Sequence, residues 1–175
     1  MLHREIVRYD GTEDDYVEKF KYALLSKKER ARFPDDVEFK VAFEERPVYL
    51  MNSKNKIYIL ERFENFGTSE DKDVYRHCDD GTYSIEHIMP QHLTPVWQKE
   101  LGDDYEQIHE EWLHRMANLT LTAYNSKYNN SSFTEKKTMQ NGFDDSGIRM
   151  NTWIAKKNKW TLAELEERSE YLMGR

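Results

Sequence analysis

Apolar residues recur every three or four positions along much of this 175-residue chain, which places them on one side of a helix. Tyr16, Phe20 and Leu24 follow this spacing and predict a helix over about 13–26. The same spacing, with helix-start and helix-stop residues, predicts helices over about 35–46, 54–66, 95–101, 105–116, 133–140, 151–157 and 162–172, and a short helical piece over 27–33. The polar run over 68–80 predicts a surface loop.

Two short stretches alternate apolar and polar residues instead, with the period of two that is typical of strands. The first is Tyr83–Met89, and Pro90 ends it because proline cannot donate to a β-ladder. The second is Leu119–Thr122, about thirty residues later. Pairing of the two stretches would form one short β-hairpin.

These elements predict an α+β fold that is mostly helical, with a short β-hairpin packed among several helices. The length fits one domain. We expect residues 1–80 to form a helical N-terminal layer of that domain, with Val37 and Val41 facing inward. Residues 81–142 would then form its core, and 143–175 a C-terminal helical segment.

The composition indicates the cellular compartment in which the chain is expected to function. Cys78 is the only cysteine, which excludes an internal disulfide and a zinc site built on paired cysteines. We therefore expect a reducing, cytoplasmic location. No apolar run reaches 18 residues and the N-terminus has no signal-peptide pattern, so neither a membrane span nor export is expected.

Charge is distributed unevenly along the chain. The formal net charge is -7, yet residues 115–160 contain eight basic and three acidic residues, a net +5. This window includes Lys127, Lys136 and Lys137. A basic surface there could attract phosphates while the rest of the molecule repels them. Ordinary solvated helix surface is the alternative interpretation of the same charges.

The strand stretches also hold residues with chemical potential. Pairing of the strands would bring Glu86, His87 and Asn118 together, with Asn125 at the start of the next element. Histidine titrates near neutral pH and suits a general base. Carboxylate and amide oxygens are ligands for a hard cation such as Mg²⁺. The pattern indicates a site that activates water next to a bound phosphate.

At these residues the chain resembles a known family. The segments Glu86–Gln91 and Asn118–Ser126, followed by Asn130, Phe133 and Lys136, resemble the HNH, or His-Me finger, nucleases. More closely they are similar to the C-terminal nuclease domain of GmrSD-type modification-dependent (type IV) restriction endonucleases. The resemblance covers most of the chain from about Asp35. Its two-part motif is specific, whereas the acid-His-x-x-Pro part alone would be weak.

The resemblance implies a ββα-metal core. It implies that His87 is the general base, that Glu86 is a metal ligand and that Asn118 ties the two strands together. Asn125 would be a second ligand of a divalent metal, Mg²⁺ or Mn²⁺. Lys136 would contact a phosphate. These roles make the expected activity a metal-dependent hydrolysis of phosphodiester bonds in DNA, in restriction and defence against foreign DNA.

Two departures from the family pattern affect the ligand set. Ala117 and Ala123 occupy places where such domains often have glycine, which leaves the position of Asn125 open. Asn129 or Asn130 could be the second ligand instead. We expect further phosphate contacts from the lysines of the basic window, Lys137 and Lys127.

Two other functions fit the same residues. One is a non-catalytic nucleic-acid-binding or assembly module that keeps the fold without turnover. The other is an RNA-directed nuclease toxin with the same site. By resemblance, DNA is the expected partner, together with a ParB-like nucleotide-hydrolysing domain or subunit that this chain does not contain.

Overall fold

The computed structural model describes residues 11–27 and 32–175. Within them the fold is α+β and mostly helical, with a single two-stranded antiparallel sheet. The helical piece expected over 27–33 falls mostly on residues outside this description. Among the described residues, every helix is too short or too polar to cross a bilayer.

The predicted order of elements is largely confirmed. The helices are α1 (Glu13–Leu25), α2 (Asp36–Glu45), α3 (Ser53–Glu64), α4 (Val74–Asp79), α5 (Pro95–Leu101), α6 (Tyr105–Trp112), α7 (Asn125–Tyr128), α8 (Phe133–Thr138), α9 (Asn151–Ala155) and α10 (Leu162–Met173). The strands are β1 (Ser84–His87) and β2 (Leu119–Thr122). Short 3-10 turns occupy Val48–Leu50, Met116–Asn118 and Phe143–Asp145.

The chain divides into two compact units, residues 1–42 and 43–175. In the first unit, the Phe33 N–H donates to the carbonyl of Leu24, near the end of α1, at 3.2 Å. Val37 and Val41, expected to face inward, are 73% and 47% exposed, so that expectation is wrong. The division into segments 1–80, 81–142 and 143–175 stays a prediction.

The second unit contains the sheet. β1 and β2 pair antiparallel, with Glu86 opposite Thr120 and His87 opposite Leu119. The prediction that these distant stretches form one sheet is confirmed. Every residue of β2 is buried. Burial of a strand on both faces is possible here because helices and loops of the same unit cover the sheet.

Two apolar clusters hold the sheet in place. Leu119 and Leu121 of β2 belong to a cluster with Leu60 of α3 and Val74 of α4. A second, aromatic-rich cluster encloses the turn that follows β1. It contains Ile88, Met89, Trp97, Phe133 and Trp160, each fully buried. Burial of a side chain of this size stabilises the fold by roughly 1.5–3 kcal/mol, so this turn is fixed rather than mobile at its base.

Helix α4 corrects the prediction of a surface loop over 68–80. Its sequence is polar, but Val74 is fully buried and anchors the helix to the core. Asp73 caps its start, because the aspartate side chain accepts from the Arg76 N–H at 2.9 Å. Val74 and Cys78 face the core, and one such pair in six residues does not form a recognisable helical pattern, which is why periodicity missed it.

Candidate active site

The C-terminal end of β1 lines a cavity of about 240 Å³. His87, its last residue, is 5% exposed, so the ring is largely enclosed but reaches the cavity wall. The other lining residues come from the turn at residue 49, from β1, from the loop after β1 and from α7 and its end: Tyr49, Ile85, Glu86, Pro90, Gln91, His92, Asn125, Asn129 and Asn130.

Asn118 fixes the loop that leaves β1. Its side chain is fully buried, and its Oδ1 accepts from the Met89 N–H at 2.8 Å. Its Nδ2 donates to the Met89 carbonyl at 2.9 Å, and its own carbonyl accepts from the Ile88 N–H at 3.0 Å. One side chain therefore replaces a strand partner for the residues that follow His87. This is the geometry expected of a residue that ties the two strands together.

The same asparagine also reaches the end of α6. Nδ2 of Asn118 donates to the Leu113 carbonyl at 3.0 Å, and Oδ1 accepts from the Trp160 indole N–H at 3.3 Å. Behind it, the buried Arg168 guanidinium donates to the Ala117 carbonyl at 2.8 Å. Asn118 makes these bonds with every polar atom of its side chain, so it positions other groups and has no atom left to contact substrate.

Glu86 and Lys136 form a buried ion pair. Lys136 Nζ lies 2.6 Å from Glu86 Oε1 and also donates to the His87 carbonyl at 2.8 Å and the Ile88 carbonyl at 3.2 Å. Burial raises the pKa of the Glu86 carboxyl, and the Lys136 ammonium opposes that rise. Because Lys136 is fully buried and its three donors are used, this placement differs from the expected phosphate contact.

The other two lysines that were expected to contact a phosphate differ in their exposure to solvent. Lys137 is largely covered, and its Nζ donates to the Lys157 carbonyl at 2.7 Å. Lys127 is exposed, with its Nζ 5.4 Å from the centre of the Tyr124 ring. Of the three lysines, Lys127 alone presents its charge to solvent, so it is the one with access to a phosphate.

Three asparagines line the cavity: Asn125, Asn129 and Asn130. Asn125 begins α7 and its Nδ2 lies 3.4 Å from the Ile85 carbonyl, which directs its Oδ1 elsewhere. Asn129 ends α7 with a φ of 41° and a ψ of -133°, outside the left-handed helical region, a backbone conformation that is uncommon for a residue other than glycine. This bend turns the chain so that Asn129 and Asn130 both border the cavity.

These donors fit a hard divalent cation. Oε1 of Glu86 is held by Lys136, while no group in the described part of the chain bonds Oε2. Glu86 and the three asparagines line the same cavity, and a carboxylate oxygen with amide oxygens is a set that suits Mg²⁺ or Mn²⁺ with water completing the shell. In the described ranges, no three His, Cys, Asp or Glu side chains cluster as a metal site.

His87 is held in its neutral form. Burial above all, and then the neighbouring His114 and Lys136, lower its pKa to about 3. His87 Nε2 lies 3.2 Å from His114 Nδ1, and the Tyr49 ring packs edge-on to the His87 ring at 4.3 Å. The imidazole is therefore unprotonated at physiological pH, as a general base must be before it reacts, and a pKa this far below the operating pH makes it a weaker base than an ordinary histidine.

This pKa predicts a loss of stability in mild acid. The ordinary pKa is 6.5, so the unfolded chain binds a proton at His87 as pH falls below that value while the folded chain does not until about pH 3. Its contribution to stability is therefore complete above pH 6.5 and declines below it. Between pH 7 and pH 5 the unfolding free energy should fall by about 2 kcal/mol from this group.

Urea unfolding at the two pH values measures this effect. In His87→Gln the fall between pH 7 and pH 5 should shrink by that amount, because glutamine does not titrate. An unchanged pH dependence in the variant would show that other groups, not His87, set the acid sensitivity.

The geometry includes two residues that the sequence analysis did not place in the catalytic set. Tyr49 and His114 enclose the His87 ring, and Tyr49 N–H donates to the His114 carbonyl at 3.1 Å. Both lie far from β1 along the chain and on no shared motif. The one available signal in the sequence was that His114 lies four residues before Asn118, and this position alone did not indicate a role for it.

A model of the protein family described as GmrSD restriction endonucleases, C-terminal domain, matches residues 33–175 of the chain. That range includes every residue of the site. No curated protein matches the chain.

Proposed function

The chain belongs to the family of GmrSD restriction endonuclease C-terminal domains, and from this premise we propose that it is a metal-dependent DNA endonuclease domain. The observation that carries the proposal is one cavity bordered by a neutral buried histidine, a carboxylate and three asparagines. A general base and an oxygen-lined cation site are the two components that phosphodiester hydrolysis requires.

The HNH type is part of this proposal. Two antiparallel strands followed by the short helix α7 have the chain order of a ββα-metal core. His87 ends the first strand, Asn118 precedes the second, and Asn125 begins the helix. The resemblance in sequence and this placement in space support the same assignment.

In the proposed reaction, His87 accepts a proton from a water molecule as the water oxygen bonds to phosphorus. The bond from phosphorus to the leaving sugar oxygen then breaks, and that oxygen takes a proton from solvent. Glu86 and Asn125 would hold a divalent cation, which supplies charge neutralisation at the phosphate and leaving oxygen when bound. Asn118 and Lys136 hold the backbone at His87 and just after it, which fixes the position of the chain from which the imidazole projects.

The biological setting we propose is restriction of foreign DNA in the cytoplasm. A ParB-like nucleotide-hydrolysing domain or subunit would act with this domain, as the resemblance implies. The chain itself is acidic overall, so contact with DNA would depend on local charge such as Lys127 rather than on a general attraction.

A nicking assay tests the activity. The full chain should convert supercoiled DNA to the open circular form with Mg²⁺ or Mn²⁺ and not with a chelator. Unmodified plasmid and DNA with modified bases are compared in parallel, because the family is modification-dependent by resemblance. Absence of cleavage on every DNA substrate contradicts the proposal, and cleavage of RNA alone would assign an RNA-directed nuclease instead.

Metal binding is predicted separately from turnover. Calorimetric titration of Mn²⁺ should show one site, and Asn125→Ala should weaken it by about tenfold or more, since few protein ligands hold the ion. Asn125 is exposed, so its truncation should leave the fold intact. Asn158→Ala, another exposed asparagine outside the cavity, is the matched control and should bind as the wild type does. Equal affinity in the two variants would remove Asn125 from the ligand set.

A further inference from the structure

His87 has a hydrogen-bonding partner with no assigned role. His87 Nε2 and His114 Nδ1 are 3.2 Å apart, and a hydrogen bond between two neutral imidazoles contains one proton. Either ring can donate it. Which ring donates decides which nitrogen of His87 keeps an available lone pair.

The two possibilities differ in consequence. If His114 donates, Nε2 of His87 is used as the acceptor and its Nδ1 bears the remaining hydrogen, so the ring has no lone pair for a water molecule. If His87 donates, its Nδ1 is unprotonated and can accept. Only the second arrangement gives a general base at this position.

The surroundings of His114 favour the second arrangement. His114 is partly exposed, and its Nε2 has no partner in the described part of the chain, so an Nε2–H there can be hydrated. A histidine protonated on Nε2 has an acceptor at Nδ1, the atom that faces His87. His87 lies deeper and lines the cavity.

His114 is itself fixed from two sides. The Tyr49 ring stacks on it with centroids 5.3 Å apart and an interplanar angle of 11°. Tyr49 also bonds to the His114 carbonyl through its N–H, and Lys56 Nζ donates to the Tyr49 carbonyl at 3.0 Å. Asn118 holds Leu113, the residue before His114, at the same time as Met89, two residues after His87. One side chain thus sets the separation of the two histidines.

We infer that His114 is the positioning residue of the active site, accepting a hydrogen bond from His87 Nε2–H and thereby leaving the Nδ1 lone pair of His87 available to the attacking water. Its role as a positioning residue in catalysis rests on the proposed function, whereas the direction of the hydrogen bond does not. In functional histidines generally, the hydrogen bond that one ring nitrogen makes determines whether the other nitrogen is protonated.

The tautomer of His87 can be measured without activity. Two-bond ¹H–¹⁵N correlation spectra of the full chain, labelled at its six histidines, distinguish Nε2–H from Nδ1–H, and His87→Gln assigns the signal. We expect Nε2–H for His87 in the wild type. An Nδ1–H signal for His87 overturns the inference.

Matched substitutions at His114 add the functional readout. In asparagine the amide oxygen occupies about the place of Nδ1, whereas in glutamine the amide is displaced towards Nε2, so His114→Asn should keep the His87 tautomer and most of the nicking rate. His114→Gln and His114→Phe should mix the tautomers and lower the rate by about 10–100-fold, as loss of an orienting partner does elsewhere. Wild-type rates in His114→Gln overturn the positioning role.

The two failures are distinguishable. A wild-type chain that cleaves no nucleic acid but shows His87 Nε2–H refutes the proposed function and retains the hydrogen-bond assignment. A wild-type chain that cleaves DNA, with His114 variants that cleave at the same rate, retains the proposed function and refutes the positioning role of His114. Should His114→Phe fail to fold, the wild-type spectrum and the asparagine–glutamine pair decide the question.

Discussion

His87→Ala is expected to lower the rate of DNA nicking by about 10²–10⁴-fold, the contribution of a positioned general base. The reason is direct: the alanine side chain has no group to accept the proton of the attacking water. His87 is the one ring at the end of β1 that is neutral, enclosed and on the cavity wall. Nicking rates at saturating Mn²⁺ measure the loss.

Three controls make this result interpretable. Circular dichroism verifies that the variant is folded, since the His87 ring packs against Tyr49. His87→Gln keeps more of the side-chain volume and should be as inactive as alanine. Asn158→Ala lies on the surface away from the cavity and should retain the wild-type rate. Cleavage by His87→Ala at the wild-type rate would show that His87 is not the general base.

Asn118→Ala is expected to lower the unfolding free energy by about 3–5 kcal/mol, because several buried groups lose their hydrogen-bond partner at once. The side chain bonds to Met89 N–H, to the carbonyls of Met89 and Leu113, and to the Trp160 indole. Each buried group left without a partner costs about 1–3 kcal/mol, with partial relief where water enters. Urea titration at pH 7 gives the value.

Asn118→Asp and Asn158→Ala calibrate this measurement. Aspartate keeps oxygen acceptors for Met89 N–H and Trp160 but loses the two N–H donors, so it should also destabilise the fold strongly. Asn158→Ala should change the free energy by no more than about 0.5 kcal/mol, as surface substitutions do. A change below about 1 kcal/mol in Asn118→Ala would mean that the loop after β1 is held by its apolar contacts instead.

The sequence predicted the elements well where local chemistry decides them. Pro95 at the start of α5 and Gly102 after its end, with a φ of 86°, mark the boundaries of that helix as expected. Thr161 N–H donates to the Glu164 carboxylate at 2.9 Å, part of the capping box that starts α10, and a Thr-x-x-Glu sequence is typical of this motif. Four residues that alternate between apolar and polar were sufficient to predict each strand, because successive side chains of a strand point to its opposite faces.

The site was predictable in its residues but not in its electrostatics. Glu86, His87, Asn125 and the loop held by Asn118 meet where pairing of the strands places them. Lys136 belongs to a run of basic residues, and nothing local distinguishes a solvated lysine from one buried against Glu86, fifty positions earlier. Such an ion pair depends on tertiary packing, which one-dimensional charge patterns do not contain.

The buried pair has a consequence for the cation site. An ammonium fixed on Oε1 keeps the Glu86 carboxyl in place and leaves Oε2 as its available oxygen. Removal of one partner of a buried pair is strongly destabilising, so variants of Lys136 would confound folding with metal binding. Substitutions at the exposed Asn125 are the cleaner probe of the same site.

A crystal structure of the full chain soaked in Mn²⁺ tests the central claim most directly, because anomalous scattering locates the ion without assumptions about ligands. The account predicts one ion in the cavity beside His87, with an oxygen of Glu86 and an asparagine oxygen within about 2.0–2.6 Å of it. A cavity without an ion at saturating Mn²⁺, or an ion bound elsewhere while Glu86 contacts Lys136 alone, would contradict it.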